Sequence, residues 1–202
     1  MCFFSVLTVD TKKIANRFKT KEFIPQKDGY LEFNGFTFPQ TPIITNENPD
    51  EIQYYNWGFL PSFAKDEDFR KFTLNARIET IHEKPSFKSY TKNRCLILSS
   101  GFYEWQWLDP KGKKKQKYKL TNKETEYFVF AGLYNKWVNK ATGEILDTYT
   151  ILTTVADEFM SKIHNSKKRM PIILNVKKEL DWLMNKTDDT GIVKLEAEKV
   201  DS

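Results

Sequence analysis

The chain has 202 residues, enough for one domain with a full hydrophobic core, and its 40% hydrophobic and 29% charged content is that of an ordinary globule. Its two cysteines, Cys2 and Cys95, exclude a disulfide framework and a cysteine metal site, and no apolar run approaches the roughly 20 residues of a membrane span. Net charge is +5, but the basic excess lies in the middle third, where residues 61–120 hold 14 Lys/Arg against 7 Asp/Glu. That balance fits a phosphate-binding face, although Lys113, Lys114, Lys115, Lys117 and Lys119 taken alone read as a solvated hairpin.

In chain order, residues 3–9 form an apolar, β-branched run that predicts a strand and sets Cys2 at a sheet edge. Residues 11–18 predict a short helix with Ile14, Ala15 and Phe18 on one face. Gly29, Gly35, Pro39 and Pro42 punctuate residues 28–45 into loop and short strand. Residues 52–57 alternate as a strand, and the charged stretch 62–71 suits an exposed, helical segment. Strands are expected at 94–99 and 101–105. The turn residues of Asp109-Pro110-Lys111-Gly112 and a return strand at 117–120 follow. Further strands are expected at 127–137, 148–153 and 172–174. Thr154 with Asp157 three residues on predicts a helix start, and that helix would deliver His164 at its end. Asn175 is expected to cap a last helix through Trp182 and Met184, and the polar tail from Asp188 to fray. Many short strands and few helices predict an α+β fold: a single domain, 1–202, with a mostly antiparallel, curved or barrel-like sheet as its core.

Several residues could carry chemistry. With Met1 trimmed, Cys2 would present a thiol and a free α-amine together, both partly nucleophilic near neutral pH. Such an aminothiol condenses with an aldehyde to an imine, and the thiol then closes a thiazolidine. The alternative is a small buried residue at the head of a strand. Glu104, between Tyr103 and Trp105, would have a raised pKa if it faces inward; if it faces outward it is a surface carboxylate. His164 reads as a held imidazole or a capping residue. Asn75 and Arg77, two apart, share a face if the segment is extended; they could hold a sugar and a phosphate, or Asn75 could be a turn amide and Arg77 an ion pair with Glu79.

The blocks Met1-Cys2, Trp57-Gly58-x-x-Pro61, Asn75-Ala76-Arg77-x-Glu79-Thr80, Gly101-Phe102-Tyr103-Glu104-Trp105 and His164 with Arg169-Met170-Pro171 span nearly the whole chain. In that order they resemble the SOS response-associated peptidase family. The resemblance implies a protein that shields abasic sites in single-stranded DNA through a covalent link to the N-terminal cysteine. It implies Cys2 as crosslinking nucleophile, Asn75 as active-site amide, Glu104 as acid/base and His164 as the family's histidine. It also implies DNA-phosphate contacts from Arg77 and Arg169. Phe63 is a candidate for stacking on bases, whereas Trp57 reads as core. Two departures stand out: Phe3 and Phe4 replace the family's usual Gly-Arg, and four residues rather than one separate His164 from Arg169. The inserted Lys167 and Lys168 are further candidates for DNA contact.

The expected partner is therefore single-stranded DNA bearing an abasic site, with no cofactor, no metal and no membrane, in a monomeric cytoplasmic protein associated with the nucleoid if bacterial. Self-removal of Met1 and a weak lyase activity through the imine are further implications. An N-terminal-nucleophile peptidase or amidohydrolase is the other enzymatic reading, with the α-amine as base for the thiol. A plain nucleic-acid-binding module using the basic middle third is the third.

Overall fold

The computed structural model describes residues 2–27 and 29–201. Among the described residues, twelve strands and three short α-helices follow one another. The strand β1 (Phe4–Val9) leads into α1 (Thr11–Phe18), then β2 (Gly29–Asn34), β3 (Gln40–Thr45) and β4 (Gln53–Trp57). Next come β5 (Asn75–Arg77), β6 (Arg94–Ser99), β7 (Gly101–Trp107), β8 (Lys115–Asn122), β9 (Phe128–Val138) and β10 (Ile145–Val155). The last elements are α2 (Glu158–Ile163), β11 (Arg169–Pro171), α3 (Glu179–Leu183) and β12 (Leu195–Val200). No described helix is long and apolar enough to cross a membrane.

The strands form two sheets, as the α+β expectation with a barrel-like core required. In the first, the order is β12-β8-β7-β1-β2 and every pairing is antiparallel. In the second, β10-β4-β3-β6-β9 closes into a ring, because β9 pairs with both β6 and β10. The parallel pairs β10–β4 and β10–β5 are its exceptions to antiparallel order. Closure passes through Gly132, which faces Cys95 on one side and Ile151 on the other. A Cβ there would lie 2.3 Å from Ile97 Cδ1 and 2.7 Å from Thr150 O, so a larger residue would force the ring open. Closure removes two exposed strand edges.

The sheets meet on a shared apolar layer. Phe102 of β7 packs edge-on against Phe128 and Phe130 of β9, with ring centroids 6.5 and 5.6 Å apart. Such pairs add to the gain from area burial alone. Trp57 is fully buried, stacks on Tyr149 at 6.2 Å and donates from Nε1 to Leu74 O at 2.8 Å; it is core, as read from the sequence. Inside the ring, Thr41 donates to the Tyr149 hydroxyl at 2.7 Å, so these two buried hydroxyls are paired.

Four local expectations are corrected. Thr154 lies within β10; Asp157 is the cap of α2, accepting from Met160 N at 2.7 Å, because β10 needs Thr154 to pair with Met170. Asn175 does not cap α3, which starts from Lys178 with no side-chain cap; its amide instead donates to Ile192 O at 2.9 Å. Residues 172–174 give only an isolated bridge, Ile173 to Phe130, and the strand lies just before them. The tail does not fray along its length, since β12 pairs with β8 over six residues and buries Leu195. Leu-Glu-Ala-Glu-Lys-Val has weak strand propensity, and the open edge of β8 overrides it.

Candidate active site

Cys2 sits just ahead of β1, where that strand enters between β2 and β7. Its side chain is shut from solvent, with the thiol donating weakly to Phe4 O at 3.9 Å. Burial pushes the thiol pKa up strongly, and the nearby Glu104 carboxylate pushes it further. The thiol is therefore protonated at neutral pH.

Asn75 opens β5, which lies parallel beside β10. Its Nδ2 donates to Cys2 O at 2.9 Å and ties the start of the chain to the ring. Its Oδ1 is buried and has no hydrogen-bond partner among the described residues. Arg77 follows on the same face of the extended strand, as expected, and is exposed.

Glu104 is in the middle of β7, and alternation turns it inward with Phe102 while Tyr103 and Trp105 face the other way. At 3% exposure its carboxyl is costly to ionise, and burial raises its pKa to about 7. His164 ends α2, and its Nε2 lies 4.0 Å from Glu104 Oε2. Its Nδ1 is 2.7 Å from Arg169 O; the tautomer that donates there leaves the Nε2 lone pair on the Glu104 side. Burial lowers the His164 pKa, so the imidazole is neutral at physiological pH. The inward-facing reading of Glu104 and the held reading of His164 are thus the ones the fold selects.

A cavity of about 370 Å³ opens beside this pair, lined by Phe3, Phe4, Glu104, Trp105, Trp107, Lys115, His164, Ser166 and Lys167. Of the four residues between His164 and Arg169, Ser166 and Lys167 line it. Asn165 pins that loop to β7, accepting from Trp107 N and donating to Trp107 O, each at 2.9 Å. Lys168 turns the chain back with φ +48°, and its carbonyl accepts from Ala156 N. The insertion therefore holds His164 and Arg169 together while presenting Lys167 to the cavity. No cluster of three or more His, Cys, Asp or Glu that could hold a metal occurs among the described residues.

The family model "SOS response associated peptidase (SRAP)" matches residues 1–201. The chain belongs to that family. It is 39% identical over 193 residues to the Abasic site processing protein YoqW of Bacillus subtilis, covering 94% of this chain and 83% of that one. To the Abasic site processing protein YobE of the same organism it is 38% identical, covering 94% and 84%. A crystal structure of a protein from Bacteroides thetaiotaomicron superposes with a TM-score of 0.85 at 34% identity, over 99% of this chain and 92% of that one.

Within this SRAP chain the remaining candidates are dispersed. Arg169 is buried, and its guanidinium makes a two-pronged pair with Glu79 at 2.8 and 2.9 Å and donates to Thr153 O at 2.8 Å. Those bonds hold the Glu79 carboxyl down to about 2. The carboxylate considered for Arg77 is thus taken by Arg169. Phe63 is exposed and edge-on to Phe69 at 5.7 Å. The two phenylalanines that replace Gly-Arg help to wall the cavity: Phe3 lies against Phe36 at 4.7 Å and Phe4 edge-on to Trp105 at 4.9 Å. Sequence reasoning missed Trp105, Trp107 and Lys115 as cavity walls. Their signal was the aromatic residue at every second position of β7.

Proposed function

We propose that this chain processes abasic sites in single-stranded DNA by forming a covalent thiazolidine through Cys2, as the names of its relatives suggest for the lesion class. The observation that supports this most is the meeting of Cys2, Asn75, Glu104 and His164 from four separate elements beside an open cavity. Loss of Met1 converts the Cys2 nitrogen from an amide to an amine. That amine adds to the C1′ aldehyde of the ring-opened sugar, and water leaves to give the imine. The thiol then adds across the C=N bond, its proton ending on nitrogen, and the five-membered ring closes.

Glu104 with a pKa about 7 is present in both protonation states near neutrality. Protonated, it donates to the leaving oxygen during ring opening and dehydration; ionised, it accepts the thiol proton at closure. The neutral His164, 4.0 Å from Glu104, relays protons beside it. Asn75 Oδ1, buried and without a hydrogen-bond partner among the described residues, would accept from an amine or a sugar hydroxyl. Phosphates are met by Arg77 and Lys167 at the surface; Arg169 acts through the geometry of His164 and Glu79.

The protonated thiol also weighs between readings. A cysteine hydrolase works through a thiolate with a depressed pKa, whereas here burial and Glu104 both push the Cys2 thiol up. Addition to an imine needs only a thiol and a base. The deciding experiment is incubation with an oligonucleotide bearing one abasic site, followed by denaturing electrophoresis. A heat-stable 1:1 adduct that requires Cys2 is expected. A peptidase would instead leave the oligonucleotide free and cleave a peptide.

A further inference from the structure

The outward face of β7 and β8 carries an ordered pattern that the site above does not use. Tyr103, Trp105 and Trp107 stand at alternate positions of β7, and opposite them on β8 stand Lys119, Lys117 and Lys115. Paired residues of antiparallel strands share a face. Each lysine lies over a ring. Lys117 Nζ is 3.8 Å from the Tyr103 centroid and 5.9 Å from that of Trp105. Lys115 is 5.8 Å from Trp107, and Lys119 is 4.9 Å from Tyr30 of β2. Tyr30 and Tyr103 are joined by a hydroxyl–hydroxyl bond of 2.9 Å.

We propose that this aromatic–lysine ladder is a second binding surface, a track for the single strand that flanks the lesion. The proposal rests on the reading of the cavity as the lesion site. Continuity is the first argument, because Trp105, Trp107 and Lys115 are walls of that cavity and also the first rungs of the ladder. Chemistry is the second. Single strands without sequence preference are held by rings under the bases and cations along the phosphates, which are the two components here. Trp105 and Trp107 are half-buried and Tyr103 is buried with Lys117 over it, and an ammonium over such a ring is held less strongly than a base stacked on it. A lysine can therefore swing to a phosphate and yield its ring to a base.

Charge sets the extent. Glu32 accepts from the Tyr103 hydroxyl at 2.8 Å, and Glu198 of β12 stands opposite Lys119. These carboxylates end the favourable potential, so the track runs from Trp107 to Tyr103. Four residues of strand give roughly 14 Å, room for two to four stacked bases. A solvated hairpin would not require its lysines on one face over rings, and here the alternation on both strands provides that.

The test uses the 202-residue chain with Lys117→Gln and Lys119→Gln combined, neither lysine lining the cavity, and a matched pair of Arg replacements. Crosslinking rate is measured with a short abasic oligonucleotide confined to the cavity, and with longer ones extended on either the 5′ or the 3′ side. The Gln variant should match the parent on the short substrate. On substrates extended to one side it should be about tenfold slower below saturation, with a salt slope of binding shallower by about 1.4. The Arg variant should retain both. Equal rates of parent and Gln variant on every substrate would overturn the track while leaving the cavity chemistry intact. Absence of adduct with any substrate, parent included, would instead overturn the reading of the cavity itself. A melting temperature shared by all variants excludes loss of fold as the cause.

Discussion

Two cysteines in this chain are fully buried, and their surroundings divide the molecule into a polar corner, proposed to react, and an apolar core. Cys95 lies inside the closed ring, opposite Gly132 and among Ile97 and other apolar side chains, and burial alone pushes its thiol up. Cys2 lies where β1 enters the open sheet, with an amide tied to its carbonyl, a carboxyl influencing its thiol and a histidine 4.0 Å from that carboxyl. Burial is the same in both places; only the company of titratable groups differs. A buried cysteine is by itself a small hydrophobe, and reactivity comes from the polar groups that the fold brings beside it.

The largest contrast should come from deleting each sulfur. Cys2→Ala is expected to abolish the heat-stable DNA adduct, leaving only an imine that borohydride traps. Cys95→Ala should crosslink at the parental rate and lose about 1 kcal/mol of stability in denaturant unfolding, from the cavity left in the ring. An adduct surviving in Cys2→Ala without reductant would erase the division between the two thiols.

Next in size is the carboxyl. Glu104→Gln is nearly isosteric and should slow crosslinking ~10²–10⁴-fold, measured as single-turnover rates. It should also change the pH dependence of stability. A carboxyl with a pKa about 7 in the fold and near 4.3 when unfolded binds more protons in the native state between those values. Stability should accordingly fall as pH rises from about 4 to 7 and stay reduced above, by about 4 kcal/mol at most. The Gln variant should lack that slope in melts between pH 4 and 8. A parental rate in Glu104→Gln would remove this residue from the reacting corner.

The two arginines sharpen the same comparison with smaller effects. Arg169→Ala strands the Thr153 carbonyl and the Glu79 carboxylate and should cost ~1–3 kcal/mol of stability. Arg77→Ala should leave melting unchanged and weaken single-stranded DNA of any sequence a few-fold, with a salt slope shallower by about 0.7. Exchange of these two phenotypes, read by melting and fluorescence anisotropy, would contradict the structural role given to Arg169.

Much of this was legible in the chain itself. Residues 11–18 carry a helical face in Ile14, Ala15 and Phe18, and the helix forms over that range. The aromatic alternation of β7 allowed an inward Glu104, but alternation alone could not choose the face; the packing of Phe102 on Phe128 and Phe130 did. What was illegible depends on distant partners. Glu79 and Arg169 are 90 residues apart, and the nearer Arg77 was the plausible mate until the fold brought β5 and β11 to opposite sides of β10. The tail reads as coil until the edge of β8 is known to need a partner. The lysines of β8 read as solvated because the rings beneath them come from strands that local sequence does not align.

The most direct test of the central claim is the intact mass of the product formed with a single-stranded oligonucleotide containing one abasic site. The expected product is protein lacking Met1 plus DNA minus one water, stable to heat without reductant. A product that retains Met1, or no covalent product at all from correctly folded protein, would contradict it.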